Sequence, residues 1–293
     1  MANKNKELSK KIKNNKKEWS KEIKEYHYKK DKSLRKRYDT KQDQHFLQDI
    51  RYHLVYLAEA ISLSSFSLFE DYIKWVKIFL KNANIPLQGL KSNFKYMKEL
   101  LKKKLNKEEF DIISKYLDRG MKVIDEKIEK PESYLKKENP HYSLAKDYFD
   151  SLLTSDRKKS SKIIIDAVEK GTAIKDIYLN VFQPVEREIG RLWQLNKVSV
   201  AKEHYSTSVT QLIMSQLYSY ILTGEKNDYK AITTCVGDEL HELGIRMIAD
   251  LLEMEGWDTI HLGANMPAES VVEELINKNA DLLAISVTIT SNL

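Results

Sequence analysis

Residues 231–244 read Ala-Ile-Thr-Thr-Cys-Val-Gly-Asp-Glu-Leu-His-Glu-Leu-Gly, a strand-like apolar run, a short polar turn and the opening of an amphipathic helix. That order puts His241 on a loop at the carboxyl end of a strand, where open α/β sheets bind ligands. Imidazole is a good ligand for a first-row transition metal, and its other ring nitrogen usually donates to a carboxylate that fixes the tautomer. Glu239, two residues earlier, is the candidate for that carboxylate, with Asp238 beside it as a substitute. Gly244 has no Cβ and would let a bound group come close to the backbone. Taken alone, a histidine here also fits an ordinary surface loop, so the surrounding sequence has to decide.

Downstream, the pattern predicts a helix over 240–255, a strand over 257–262, a helix over 268–278 and a strand over 282–287. With the strand over 231–236, this alternation implies parallel strands joined by right-handed crossovers. The last strand carries Ser286, Thr288 and Thr290 at its carboxyl end, where a ligand crevice would lie. The sequence stops at Leu293, directly after that strand, so the expected sheet is partial, with an unpaired edge and missing carboxyl-terminal strands.

Upstream, Tyr178, Phe182, Val185, Ile189 and Leu192 recur at three- and four-residue steps, as do Val209, Leu212, Ile213, Leu217 and Ile221. Both stripes predict bundle helices. Between them Trp193 is followed, after nine residues that include Val200, by Glu203-His204. Read without further context, Trp193 is a bundle core residue and Glu203 a first-turn carboxylate complementing the helix macrodipole.

The octet 237–244 resembles the cobalamin-binding loop of methionine synthase, the corrinoid methyl carriers and the adenosylcobalamin mutases, whose motif is DxHxxG. The Trp193 to Glu203-His204 spacing, with Asp176-Ile-Tyr-Leu179 and Pro184-Val-Glu-Arg-Glu-Ile-Gly190-Arg-Leu-Trp193, is similar to the helical cap of cobalamin photoreceptors of the CarH type. The resemblance covers roughly residues 143 to 293. It implies His241 as lower cobalt ligand, Ser286 as the first residue of an SxL motif holding the nucleotide tail, and Thr288 in place of that motif's Leu. It also implies Trp193, Val200, Glu203 and His204 facing the upper side of an adenosylcobalamin, preferred here to methylcobalamin. Gln194 stands where those receptors carry a histidine that takes the upper cobalt position, which leaves His204 as the candidate for that role after loss of the alkyl group.

The fold expected is mainly α with a carboxyl-terminal α/β part: a basic arm over 1–45, helical or disordered, a helical sensor or oligomerisation domain over 46–140, a four-helix-bundle cap over 141–224, and an incomplete doubly wound, Rossmann-like cobalamin-binding domain over 225–293. Within the second region the pattern places helices at 53–61, 69–79, 90–105 and 107–128, with a linker over 130–140. The arm holds 16 Lys or Arg against 7 Asp or Glu, so the net charge of +6 belongs to it and the remainder is slightly acidic. Its scarcity of apolar residues predicts a solvated segment.

At 42% hydrophobic and 31% charged, with Cys235 as the single cysteine and no long apolar stretch or signal sequence, the expectation is a cytoplasmic protein without disulfides. The sequence shows no helix-turn-helix, which argues against direct DNA binding. Three functions follow: a cobalamin-dependent sensory protein, non-enzymatic and possessing a homo-oligomeric or downstream signalling partner; a corrinoid methyl carrier; or a helical interaction protein without cofactor. The motifs favour the first.

Overall fold

Asp39, Ser65 and Asn106 accept backbone N–H groups from the first turn of the helices that follow them, and Asp39 and Asn106 do so in reciprocal capping boxes with Gln42 and Glu109. These caps set the helix starts of the first of two units, Met1–Lys130 and Pro131–Leu293, in the computed structural model, which describes residues 2–127, 129–221 and 226–289. The first unit is α1 (Ala2–Lys30), a short α2 (Lys32–Arg37), α3 (Thr40–Ser62), α4 (Phe66–Asn82), α5 (Leu87–Lys104) and α6 (Lys107–Asp125). The helix expected over 107–128 thus ends at Asp125, and Ile128 lies outside the described residues.

The arm expected over 1–45 is not solvated. Leu8, Ile12, Trp19 and Ile23 recur at steps of four, seven and four, lie on one face of α1 and are at most 3% exposed. They join one core with Ile50, Leu54, Leu57, Ile61, Phe69, Ile73, Phe94, Met97, Ile113 and Leu117 from α3 to α6. A few apolar residues at helical spacing outweigh an average composition, because burial of one such side chain contributes about 1.5–3 kcal/mol. The lysines meet acids from the other helices, Lys4 with Glu108, Lys11 with Glu109, Lys24 with Asp43, and Lys13 with the buried Glu59. A boundary at residue 45 is also ruled out, since α3 starts at Thr40 and runs through it.

Two histidines are enclosed in this unit. His53 is bonded through Nδ1 to the Tyr72 hydroxyl at 2.7 Å and lies edge-on to Phe94, and burial lowers its pKa to about 3. His27 packs edge-on against Phe46 and Tyr96, and burial lowers it to about 4, although Asn93 nearby opposes the shift.

In the second unit α7 (Tyr142–Leu153), α8 (Arg157–Glu169), a helix made of α9 (Ile174–Asp176), a π-helical segment (Ile177–Phe182) and α10 (Gln183–Gln194), and finally α11 (Val200–Ile221) form a four-helix bundle. Tyr148, Phe149, Ile164, Tyr178, Phe182, Val185, Ile189, Ile213, Met214 and Leu217 fill its core. The stretch before α7, read as a linker, is held to this bundle: the Tyr134 N–H donates to Glu188 and Asn139 Nδ2 to the Asn180 carbonyl. β1 (Lys230–Cys235), α12 (Leu243–Met254), β2 (Asp258–Gly263), α13 (Ala268–Lys278) and β3 (Leu282–Ser286) follow. The strands are parallel in the order β2-β1-β3, with Ile232 opposite Ile260 and Leu283, and β1 is buried in the middle. The architecture is therefore a helical cap plus a small Rossmann-like parallel sheet, as expected. Residues 222–225, where the cap boundary was expected, and Thr290 with Leu293 lie outside the described residues.

α12 joins the two layers. Met247 enters the bundle core, the Tyr178 hydroxyl donates to Asp250 at 2.7 Å, and Arg246 donates to the Ser215 hydroxyl at 2.7 Å. This helix begins at Leu243 rather than at 240: residues 240–242 turn on themselves, with the Glu242 N–H on the Leu240 carbonyl at 3.0 Å and the His241 N–H on the Glu239 side chain at 3.0 Å.

Candidate functional site: the His241 loop and the cap above it

The loop after β1 is shaped by one turn and one carboxylate. Asp238 has φ +62 and donates its N–H to Asn265 Oδ1 at 2.7 Å, while the Asn265 N–H donates back to the Glu239 carbonyl at 3.1 Å. Asn265 itself is left-handed, at φ 55, directly after β2. This clasp turns the Asp238 backbone outward and drives the Glu239 side chain inward, where it is fully buried.

Glu239 Oε1 lies 2.5 Å from His241 Nδ1 and 3.0 Å from the His241 N–H; Oε2 accepts the N–H groups of Thr288 at 2.9 Å and Ile289 at 2.7 Å. Burial alone would raise this carboxyl, but the bonds from Ile289, His241 and Thr288 overcome it and hold the pKa at about 2. An ionised carboxylate can only accept, so Nδ1 carries the proton, and in the neutral ring Nε2 keeps its lone pair. The imidazole side chain is 51% exposed, which leaves Nε2 open to a ligand. Of the two candidate carboxylates, the structure therefore brings Glu239 to the histidine, while Asp238 is exposed. The extra methylene of Glu relative to Asp is what lets one carboxylate span from His241 to the end of β3.

Ser286 and Thr288 play different parts. The Ser286 hydroxyl faces the Cys235 thiol at 3.6 Å across adjacent strands, whereas Thr288 serves Glu239 through its backbone. Gly244 is exposed in the first turn of α12, and a Cβ there would meet nothing within 4 Å. Leu240, between the two key residues, is 74% exposed, an apolar group set beside His241 that sequence reading passed over.

On the cap, Ser199 starts α11 by accepting the Lys202 N–H, and Val200, Glu203 and His204 fall in the first turns. Val200 is exposed, and His204 Nε2 lies 3.6 Å from Glu203, its ring 76% exposed. Trp193 is half-buried at the end of α10, and Gln194 is buried. Seven residues before Trp193, and so on the same side of the helix, Glu186 accepts the Thr210 hydroxyl at 2.5 Å and the Thr207 hydroxyl at 3.2 Å. Burial pushes this carboxyl up to about 7, the two threonines oppose the shift, and Glu203 adds to it. One turn beyond Thr207, Gln211 donates to Glu242 at 3.0 Å. Glu242 directly follows His241, so the strip Glu203, Thr207, Gln211 runs along α11 to the loop that presents the histidine. Glu186, Gln211 and Asn265 escaped sequence reading. Glu186 could have been found from its seven-residue spacing to Trp193.

Residues 229–293 match a family model described as a B12 binding domain, and residues 144–218 match a second model with the same description. The chain is 22% identical over 140 residues to a monomethylamine corrinoid protein of Methanosarcina mazei, covering 46% of this chain and 64% of the relative. It is 25% identical over 103 residues to the HTH-type transcriptional repressor CarA of Myxococcus xanthus, covering 35% of this chain and 34% of that one. Among solved structures it is similar to the monomethylamine corrinoid protein of Methanosarcina barkeri, with 19% identity, a TM-score of 0.47, and coverage of 52% of this chain and 73% of that one. The matches support a cobalamin-binding protein. The donor set agrees with them: an imidazole whose Nε2 is open, whose tautomer is fixed by a buried carboxylate, and which stands at the carboxyl end of a parallel strand. No helix among the described residues is long and apolar enough to cross a membrane.

Proposed function

We propose that this chain is a cobalamin-dependent regulatory protein that uses adenosylcobalamin, with the His241 loop as its lower site and the cap as its upper one. The observation that carries the reading is the coupled geometry of the two sides. His241 is oriented by Glu239, and the strip from Glu203 through Gln211 ends on Glu242 next to it. When bound, the cofactor supplies a cobalt–carbon bond that can be broken and remade. His241 Nε2 would hold the metal, with Glu239 keeping the ring protonated at Nδ1. Ser286, Gly244, Asp238 and Thr288 belong to the side that takes the nucleotide tail, and Trp193, Val200 and Glu203 to the side that takes the upper ligand. An indole stacked on adenine is worth on the order of 1 kcal/mol beyond area burial. A carboxylate accepting ribose hydroxyls adds charge-assisted bonds. A methyl group offers neither. The signal leaves through the cap, by a change of packing against α12 or of oligomeric state. Light is one trigger that fits, with His204, on the exposed side of α11, as the nitrogen able to take the upper position.

The second reading, a corrinoid carrier serving a methyltransferase, is favoured by the similarity to monomethylamine corrinoid proteins. Binding measurements separate the two. Titrations of the protein with adenosylcobalamin and methylcobalamin should show preference for the adenosyl form, and Trp193→Ala and Glu203→Ala should weaken that form while leaving the methyl form nearly unchanged. Equal losses of both would favour the carrier. In a spin-resonance spectrum of protein loaded with cob(II)alamin, His241→Ala should erase the coupling to a protein nitrogen; persistence of that coupling would refute the lower-ligand assignment. An adenosyl-loaded protein whose spectrum and oligomeric state ignore green light would remain a sensor but not a photoreceptor.

A further inference from the structure

We propose that Glu186 is a specificity-determining residue on the upper side of the cofactor site, a carboxyl that works with Glu203 to select an upper ligand bearing hydroxyl groups. The inference rests on the reading of Trp193 and Glu203 given above. Glu186 lies on α10 seven residues before Trp193, with Gly190 between them on the same side. A Cβ at Gly190 would meet nothing within 4 Å, so there is open space beside α10 one turn beyond Glu186. The core-facing residues of the same helix are others, Val185 and Ile189, both fully buried.

The carboxyl is held by a chain of hydroxyls that reaches back into the bundle. Thr210 donates to Oε1, Thr207 donates to Oε2, and the buried Tyr148 hydroxyl stands 2.8 Å from Thr210 Oγ1. With the Thr210 proton committed to Glu186, Tyr148 is the donor to Thr210. Thr207 sits one turn beyond Glu203 on α11, which places the two carboxyls on neighbouring helices facing the same strip. A purely structural role would be served better by an apolar side chain, since an acid in this position is costly to bury. Burial and the neighbouring Glu203 favour the protonated form, and in that form Glu186 can donate a hydrogen bond while Glu203 accepts one. Such a donor–acceptor pair matches the vicinal hydroxyls of a ribose and has nothing to offer an alkyl group without oxygen.

The test uses the full chain in the dark. Wild type, Glu186→Leu, Glu186→Gln, Thr207→Val and Glu203→Ala are titrated by absorbance with adenosylcobalamin and with methylcobalamin, and the ratio of the two affinities is the readout. Glu186→Leu should lower the adenosyl-to-methyl ratio about fivefold, the size of one hydrogen bond between neutral groups. Glu186→Gln, which still donates and accepts, should restore the ratio to within about twofold of wild type. If the Leu variant fails to fold by circular dichroism, Thr207→Val carries the test, and its ratio should fall in the same direction. An unchanged ratio in Glu186→Leu, or in Thr207→Val where that variant stands in, while Glu203→Ala lowers it, overturns the role of Glu186 alone. An unchanged ratio in Glu203→Ala as well overturns the reading of the upper side on which this inference rests.

Discussion

The two units differ in the polar groups they bury. In the first, His27 and His53 are neutral and packed against aromatic rings, and the buried Glu59 is paired with Lys13. In the second, the carboxyls Glu239 in its loop, Glu186 in the first turn of α10 and Asp250 within α12 are each supplied with a donor from a different segment of chain. A neutral group needs only a local partner, whereas a buried acid needs several donors brought from elsewhere. Carboxyls therefore mark places where separate segments must meet, and in the second unit those places include the His241 loop and the cap above it.

Removing the carboxylate at the most crowded of these joints should have the largest effect. Glu239→Ala leaves the Nδ1 proton and the N–H groups of Thr288 and Ile289 without their acceptor, and cobalamin affinity should fall by about 10- to 100-fold. Absorbance titration measures the loss, and retained affinity would break the contrast between the units. In the first unit the sensitive point is steric. A Cβ at Gly120 would stand 2.8 Å from the buried Phe69 ring, so Gly120→Ala should cost about 1–3 kcal/mol of stability while leaving cobalamin binding intact. Trp19 and Trp75 report on this unit and Trp193 and Trp257 on the other, so urea titrations of variants keeping one unit's tryptophans resolve which unit melts.

Gly244 gives a smaller effect of the reverse kind. A Cβ there touches nothing in the protein, so Gly244→Ala should leave stability unchanged yet weaken cobalamin binding by about tenfold, or about 1.4 kcal/mol. Unchanged binding would show that no bound group approaches that backbone. The smallest effect is a divergence with pH. The stability tied to neutral His53 is whole above its ordinary value of 6.5 and is lost as pH falls toward about 3. That tied to Glu186 is whole below 4.5 and is lost as pH rises through about 7. His53→Leu should flatten the acid limb of the first unit's melting profile, and Glu186→Gln the neutral limb of the second's.

The alternation of strand and helix after residue 230 was legible because period-two and period-3.6 patterns depend on neighbours in sequence. The strands and α13 appear within a residue or two of their expected limits. The start of α12 falls later than expected because residues 240–242 form a tight turn, Glu242 N–H on the Leu240 carbonyl, which an apolar pattern does not carry. The helix α1 was misread for a related reason: the acids that neutralise its lysines lie on α3 and α6, far along the chain. At the site, the pairing of His241 with Glu239 was within reach of a two-residue spacing. Its anchoring to Thr288 and Ile289 was not, because it spans some fifty residues.

That span bears on how the protein is made. The backbone hydrogen bonds of a helix such as α3 or α6 close within four residues and can form soon after it leaves the ribosome. The carboxylate at Glu239 finds its full set of donors only after β3 has docked beside β1, so the imidazole cannot be held in its final tautomer and orientation before β3 has been synthesised. On the proposed reading, a nascent chain that met the cofactor early would offer it a loose histidine, and capture of cobalt would wait until β3 has docked.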